Sequence, residues 1–228
     1  MMDLYKNREH AGRVLAEEIQ RKANYFGVEL SENNCVTLSI PDEGIIPGYT
    51  LTKSLKIKMN LLVVGKLKVP GTDTGIGSIS IDGTSVLNDE MINRYRLTRE
   101  QINEIERTEL NKMIDKIETY EIAQINLKKL KERFVIIVDE GAKTGYSIIG
   151  AIKSINLINP KQIVIAIPTA SFHAIMKINR YTHHITCPKI VDTFSFTIED
   201  AYDHYHKLDQ KTVLDYIDRL KKENLLFV

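Results

Sequence analysis

The sequence predicts an α/β fold in which a parallel, twisted sheet of about five strands carries helices on both faces. Three observations lead there: short unbroken apolar runs, amphipathic stretches of helix length alternating with them, and turn-forming residues that stop each run. A strand covered on both faces has no polar side to present, so Phe134-Val-Ile-Ile-Val138 and Gln162-Ile-Val-Ile-Ala-Ile167 mark strands interior to such a sheet. A chain of 228 residues suits one sizeable core, and a single domain over residues 1–228 is expected.

Taken in order, Ala11, Val14, Leu15 and Ile19 recur at helical spacing from Asn7, a capping residue, to about Asn24, with Gly27 beyond the far end. Cys35-Val-Thr-Leu-Ser-Ile40 reads as a strand, Pro41-Asp-Glu-Gly44 breaks it, and residues 47–56 form a second helix. Leu61-Leu-Val-Val64 reads as a further buried strand. Residues 66–90 carry Pro70-Gly71, Gly75-Ile-Gly77 and Asp82-Gly83 around short alternating stretches, which predicts a flexible, hairpin-like antiparallel excursion.

Residues 98–131 contain no Pro or Gly, and Ile102, Ile105, Leu110, Ile114, Ile117 and Ile122 stripe them, predicting a helical arm of one or two pieces. After the strand at residue 134 comes a helix through about Ile155. Pro168 stops the next strand, and a weak strand is expected near His184-Ile-Thr186. Residues 187–228 read as a C-terminal helical segment with patterns at 199–206 and 210–223.

Composition narrows the function. With 31 basic and 30 acidic side chains mixed along the chain, no global field draws it onto nucleic acid. Cys35 and Cys187 are far apart, each in or beside an apolar run, and read as reduced and structural. The first ten residues lack the apolar stretch of a signal peptide, and no apolar run reaches membrane-span length, so no membrane partner and a cytoplasmic location are expected. His183-His184 would face opposite sides of a strand with no third ligand at a recognisable spacing, so a structural role is the better reading.

The segment that carries chemistry is Asp139-Glu-Gly-Ala-Lys-Thr-Gly-Tyr-Ser147, where a buried strand delivers two acids into a small-residue loop that opens a helix. Backbone amides at a helix N-terminus, with the hydroxyls of Thr144 and Ser147, make a cradle for a phosphate monoester. Gly141 and Gly145 allow the close approach such a loop needs. Asp139 and Glu140 point to opposite sides of the strand end, so at least one can accept hydrogen bonds from ribose hydroxyls. The spacing fails the nucleotide-triphosphatase pattern, which needs two glycines four residues apart followed by Lys-Ser or Lys-Thr. The competing reading is an ordinary strand-to-helix turn.

A hydrophobic run, two acids, small residues, Thr-Gly and a further hydroxyl together resemble the ribose-phosphate signature of type I phosphoribosyltransferases. The likeness spans nearly the whole chain. Asn7-Arg-Glu-His-Ala-Gly-Arg-Val-Leu-Ala16 resembles the opening helix of one branch of that family, and Ile40-Pro-Asp-Glu-Gly44 stands at its first loop. Lys66 with Pro70-Gly71, Ile76-Gly77 and Asp82-Gly83 resembles the next block, and Ala166-Ile-Pro168 and residues 202–213 later ones.

The resemblance implies a Mg²⁺-dependent displacement at the anomeric carbon of phosphoribosyl pyrophosphate, in which a purine- or pyrimidine-type nitrogenous base attacks and pyrophosphate leaves. It assigns Asp139 and Glu140 to the ribose hydroxyls, as the catalytic acids and as indirect partners of the metal through ligand or water. Gly141, Ala142, Lys143, Thr144, Gly145, Tyr146 and Ser147 fall to the 5′-phosphate, and Glu43, Gly44 and Lys66 to the pyrophosphate. It further implies a homodimer, for which the arm at 98–131 could supply the interface.

The first loop departs from that branch, with Asp42-Glu43-Gly44 standing where Arg-Gly-Gly is usual. Acids facing pyrophosphate would repel it unless Mg²⁺ intervenes. A second reading therefore stands beside the enzyme: a non-catalytic or regulatory protein that binds phosphoribosyl pyrophosphate or a nucleoside monophosphate. Hydrolysis or phosphorolysis of a ribose phosphate ranks third, since no positioned nucleophile is legible.

Overall fold

The computed structural model describes residues 4–122, 129–193 and 195–228. Five parallel strands form its central sheet in the order β2-β1-β6-β7-β9: β1 (Cys35–Ser39), β2 (Lys58–Leu61), β6 (Phe134–Val138), β7 (Gln162–Ala166) and β9 (Ile185–Thr186). Both faces are covered, which is why β1 and β6 are buried at every residue. Alternation then sorts one strand between two cores. Phe134, Ile136 and Val138 pack with Leu15, Ile19, Leu51 and Leu55 of α1 (Arg8–Phe26) and α2 (Ile45–Leu55). Val135 and Ile137 pack on the other face with Ile148, Ile149, Ile152 and Ile155 of α5 (Tyr146–Asn156) and with Ala174 and Ile178 of α6 (Phe172–Ile178).

The caps read from sequence hold. The Asn7 side chain accepts the His10 amide at the start of α1, and Gly27 ends it in the left-handed region. The β2 edge is closed by α7 (Gln210–Lys222), whose Val213, Tyr216, Ile217 and Leu220 pack against Met59 and Leu61. Phe227 and Leu225 then exchange backbone hydrogen bonds with Met59, so the exposed edge is paired. Among the described residues no helix is long and apolar enough to cross a membrane.

Several local expectations are corrected. The run at 61–64 is not one strand: β2 ends at Leu61, and Val64 opens β3 (Val64–Lys68) in a separate sheet. An apolar run signals burial and does not locate the joint between two buried strands. The antiparallel excursion, by contrast, is present as expected, as a three-stranded sheet of β3, β4 (Gly75–Ser80) and β5 (Ser85–Leu87). It is fastened to α5: the hydroxyls of Ser78 and Ser80 donate to the carbonyls of Tyr146 and Gly150, and Ser154 bonds Asp82.

The arm comprises α3 (Asp89–Arg94) and α4 (Arg99–Thr119), the latter opened by a Thr98–Gln101 capping box; its expected continuation over 123–128 lies outside the described residues. Residues 199–206 are not a helix. A single 3-10 turn at Glu199–Ala201 gives way to extended chain in which Tyr202 pairs with Tyr5. Two short strands the periodicity did not reveal, β8 (Thr169–Ser171) and β10 (Lys189–Val191), form a parallel pair.

The contact between α5 and the excursion is tight enough to test. A methyl group at Gly150 would lie 2.5 Å from the Ser78 hydroxyl oxygen and 3.4 Å from Val64. Gly150→Ala is expected to cost about 1–3 kcal/mol, the usual range for an overpacked contact, and to raise protease sensitivity at residues 69–74. Urea unfolding and limited proteolysis measure the two effects, and wild-type values in both would show that the excursion is not seated on α5.

Candidate functional site

Ligand sites of parallel α/β sheets lie at the carboxyl ends of the strands, and here two loops meet there because β1 and β6 are neighbours. The loop after β6 is held from behind by β8. Ala142 donates its amide to Thr169 O (3.0 Å), Ser171 N donates to Ala142 O (2.9 Å), and the Ser171 hydroxyl donates to Lys143 O (2.8 Å). Gly145 then starts α5 at φ 81°, a conformation that favours glycine. Among the described residues, the backbone amides of Lys143, Thr144, Gly145, Tyr146 and Ser147 donate to no protein acceptor. Five unpaired donors at the positive end of an eleven-residue helix are a donor set that an anion can take up.

The cleft over these amides has a volume of about 250 Å³ and is lined by Asp139, all of residues 141–147, and Lys66, Lys68 and Asp73 from the excursion. It therefore brings together every residue assigned from sequence to the ribose 5-phosphate, together with Asp139 and Lys66. Asp139 is buried at its floor, and its carboxylate accepts the Glu140 amide at 2.8 Å. Burial pushes its pKa up to about 6, against the pull of the Lys66 ammonium.

Glu140 faces the other way. Its Oε2 accepts from Arg8 Nε at 3.0 Å, its Oε1 from the Tyr205 hydroxyl at 3.3 Å, and its backbone carbonyl from the Tyr202 hydroxyl at 2.9 Å. Burial pushes its carboxyl up to about 7 in spite of Arg8, with the charges of Asp139 and Glu43 acting in the same direction. One guanidinium shared between two carboxylates does not offset the loss of water. Glu140 is not among the residues lining the cleft.

A second, larger space of about 660 Å³ adjoins the first through Lys66 and Lys68 and is walled by the first loop and α4. Its first-loop acids are already occupied. Asp42 accepts from Lys116 Nζ (3.0 Å) and the Tyr120 hydroxyl (2.8 Å); Glu43 accepts from Arg8 Nη2 (2.5 Å) and Leu208 N (3.2 Å). Gly44 is buried, and its carbonyl accepts the Ser39 hydroxyl. Lys66 has no ion-pair partner among the described residues, whereas Lys68 is paired with Asp73 at 2.9 Å. Sequence reading missed Arg8 as the shared partner of Glu43 and Glu140. It stands three and four positions before Ala11 and Gly12, so the helical stripe itself points it inward.

Comparison with known proteins gives the following. No family model matches the chain. It is 26% identical over 223 residues to proteins of two Mycobacterium tuberculosis strains (CDC 1551 / Oshkosh and H37Rv), each named "Putative phosphoribosyl transferase"; the match covers 97% of this chain. The chain spans 48%, about half, of the length of those curated relatives. Among solved structures it superposes on the Thermus thermophilus protein TT1426 with a TM-score of 0.71 at 20% identity, covering 96% of this chain and 99% of that one. The likeness shows the fold: a parallel twisted sheet with flanking helices, an antiparallel excursion and a helical extension, shared with that protein over nearly the whole of both chains.

Proposed function

We propose that the chain binds phosphoribosyl pyrophosphate in the cleft between residues 139–147 and Lys66, and transfers its phosphoribosyl group to a nitrogenous base of purine or pyrimidine type. The observation that carries this reading is the convergence of five free helix-end amides with a buried carboxylate on one cleft, an arrangement matched to a 5′-phosphate and an adjacent sugar. In this mechanism the amides of residues 143–147 and the hydroxyls of Thr144 and Ser147 fix the phosphate. Asp139 accepts hydrogen bonds from the ribose hydroxyls, and its negative charge lies close to the positive charge that develops on the sugar. Lys66 and the amides of the first loop face the departing pyrophosphate. Positioning and charge complementarity supply the acceleration.

Mg²⁺ fits this donor set. The ion is usually held by one or two carboxylates with substrate oxygens and water, and Asp139 offers one carboxylate at the cleft. Glu43 and Glu140 are engaged by Arg8, so Asp139 would be the protein contact. When bound, the ion neutralises charge on the pyrophosphate. A cytoplasmic homodimer belongs to the same proposal.

Binding without turnover is the second reading, favoured by the first loop, whose side chains offer acids already paired and no free cation. Release of pyrophosphate in the presence of a panel of bases separates the two. For the binding mode itself, Thr144→Val is expected to weaken ribose 5-phosphate and nucleoside monophosphates about tenfold, the loss of one hydrogen bond to a charged group, and to spare nucleosides without phosphate. Calorimetry decides it, and equal effects on both ligand classes would contradict the phosphate assignment.

A further inference from the structure

Arg8 is 3% exposed, a charged side chain with almost no water around it. It leaves the first turn of α1 and reaches three separate parts of the chain. Nε and Nη2 meet Glu140 Oε2 at 3.0 and 2.9 Å, in the loop after β6. Nη2 meets Glu43 Oε2 at 2.5 Å, in the loop after β1. Nη1 donates to His206 O at 2.9 Å, and the guanidinium carbon lies 4.4 Å from the centre of the Tyr205 ring. Segment 202–208 closes the circuit through Tyr202 and Tyr205 to Glu140 and through the Leu208 amide to Glu43. Only a planar fork with several fixed donors satisfies partners in three directions at once.

The consequence lies in the first loop. Glu43 lines the larger space, yet both of its oxygens accept from protein donors, while the backbone amides of Asp42 and Glu43 donate to no protein acceptor among the described residues. We propose that Arg8 is a positioning residue that locks the two ligand loops and segment 202–208 into one unit, so that the first loop presents amides to an anionic ligand in place of its carboxylate. Arg8 lines neither of the two spaces. The absence of a cation in the first loop thereby becomes compatible with an anion beside it.

The test uses hydrogen exchange on the ligand-free protein. Arg8→Gln is expected to speed exchange at 40–46 and 202–208 together, by at least about tenfold, leaving β3 to β5 unchanged; Arg8→Lys keeps the charge and recovers only part of the protection. Should Arg8→Gln fail to fold, Glu43→Gln leaves the Arg8–Glu140 pair and opens the same first-loop amides. Exchange that is unchanged, or raised evenly across the chain, overturns the proposal.

A ligand arm rests on the function proposed above. Both Arg8→Gln and Glu43→Gln are expected to lose the preference for phosphoribosyl pyrophosphate over ribose 5-phosphate, about tenfold, while ribose 5-phosphate affinity is kept. A Glu43→Gln protein that binds the pyrophosphate donor more tightly overturns the clamp, since Glu43 would then face the ligand. A wild-type protein without that preference defeats the functional reading alone, and the exchange data still decide the role of Arg8.

Discussion

Arg8→Met is expected to lower the free energy of unfolding by about 3–5 kcal/mol at pH 8, the usual cost of removing one partner from a buried ion pair. The magnitude follows from what is left behind: Glu43 and Glu140 lose their shared cation, and Glu140 is buried. The effect also depends on pH. Arg8 stabilises Glu140 only while that carboxylate is ionised, and Glu140 titrates at about 7 in the folded protein, so the attraction fades as pH falls below 7. The gap between wild type and variant should narrow from pH 8 to pH 5.5 in urea unfolding. A gap of the same size at both values would mean that the charge of Glu140 has no part in the effect of Arg8.

Asp139→Asn is expected to raise stability at pH 8 while abolishing binding of ribose phosphates. Its folded pKa of about 6 lies above the ordinary 3.8, so folding favours the protonated form. The stability from this group is fully present below about pH 4 and is lost as pH rises through 6. A shift of about two units corresponds to roughly 3 kcal/mol as an upper figure. Asparagine carries no charge to desolvate and can still accept the Glu140 amide. The advantage of the variant should therefore be small at pH 4.5 and reach its plateau above pH 7. Parallel stability curves would contradict the burial argument, and retained ligand affinity would remove Asp139 from the sugar site. On the proposed function, Asp139 is an acid held at the expense of stability, the trade expected at a binding site.

The parts of this fold that were legible are those governed by one local rule. The apolar strands that begin at Phe134 and Gln162, the Asn7 cap, the Gly27 stop and the loop from Asp139 to Ser147 each depend on neighbours in sequence, and each stands where it was read. What was not legible depends on distant partners. The joint between Leu61 and Val64 is set by two sheets competing for one apolar run. Residues 199–206 have helical periodicity, yet Tyr202 pairs with Tyr5 and donates to Glu140, and those long-range bonds outweigh a weak local preference. The partners of Asp42 and Glu43 were not legible because Arg8, Lys116 and Tyr120, which hold them, lie from 35 to 78 residues away.

On the proposed function, the cleft takes a phosphoribosyl group carrying pyrophosphate. Calorimetric titration with phosphoribosyl pyrophosphate, ribose 5-phosphate and nucleoside monophosphates, each with and without Mg²⁺, tests it most directly. The expected result is binding of the pyrophosphate donor that strengthens with Mg²⁺ and exceeds that of ribose 5-phosphate. Monophosphates that bind as well or better, with nothing gained from pyrophosphate or metal, would contradict it and leave a nucleotide-binding protein in its place.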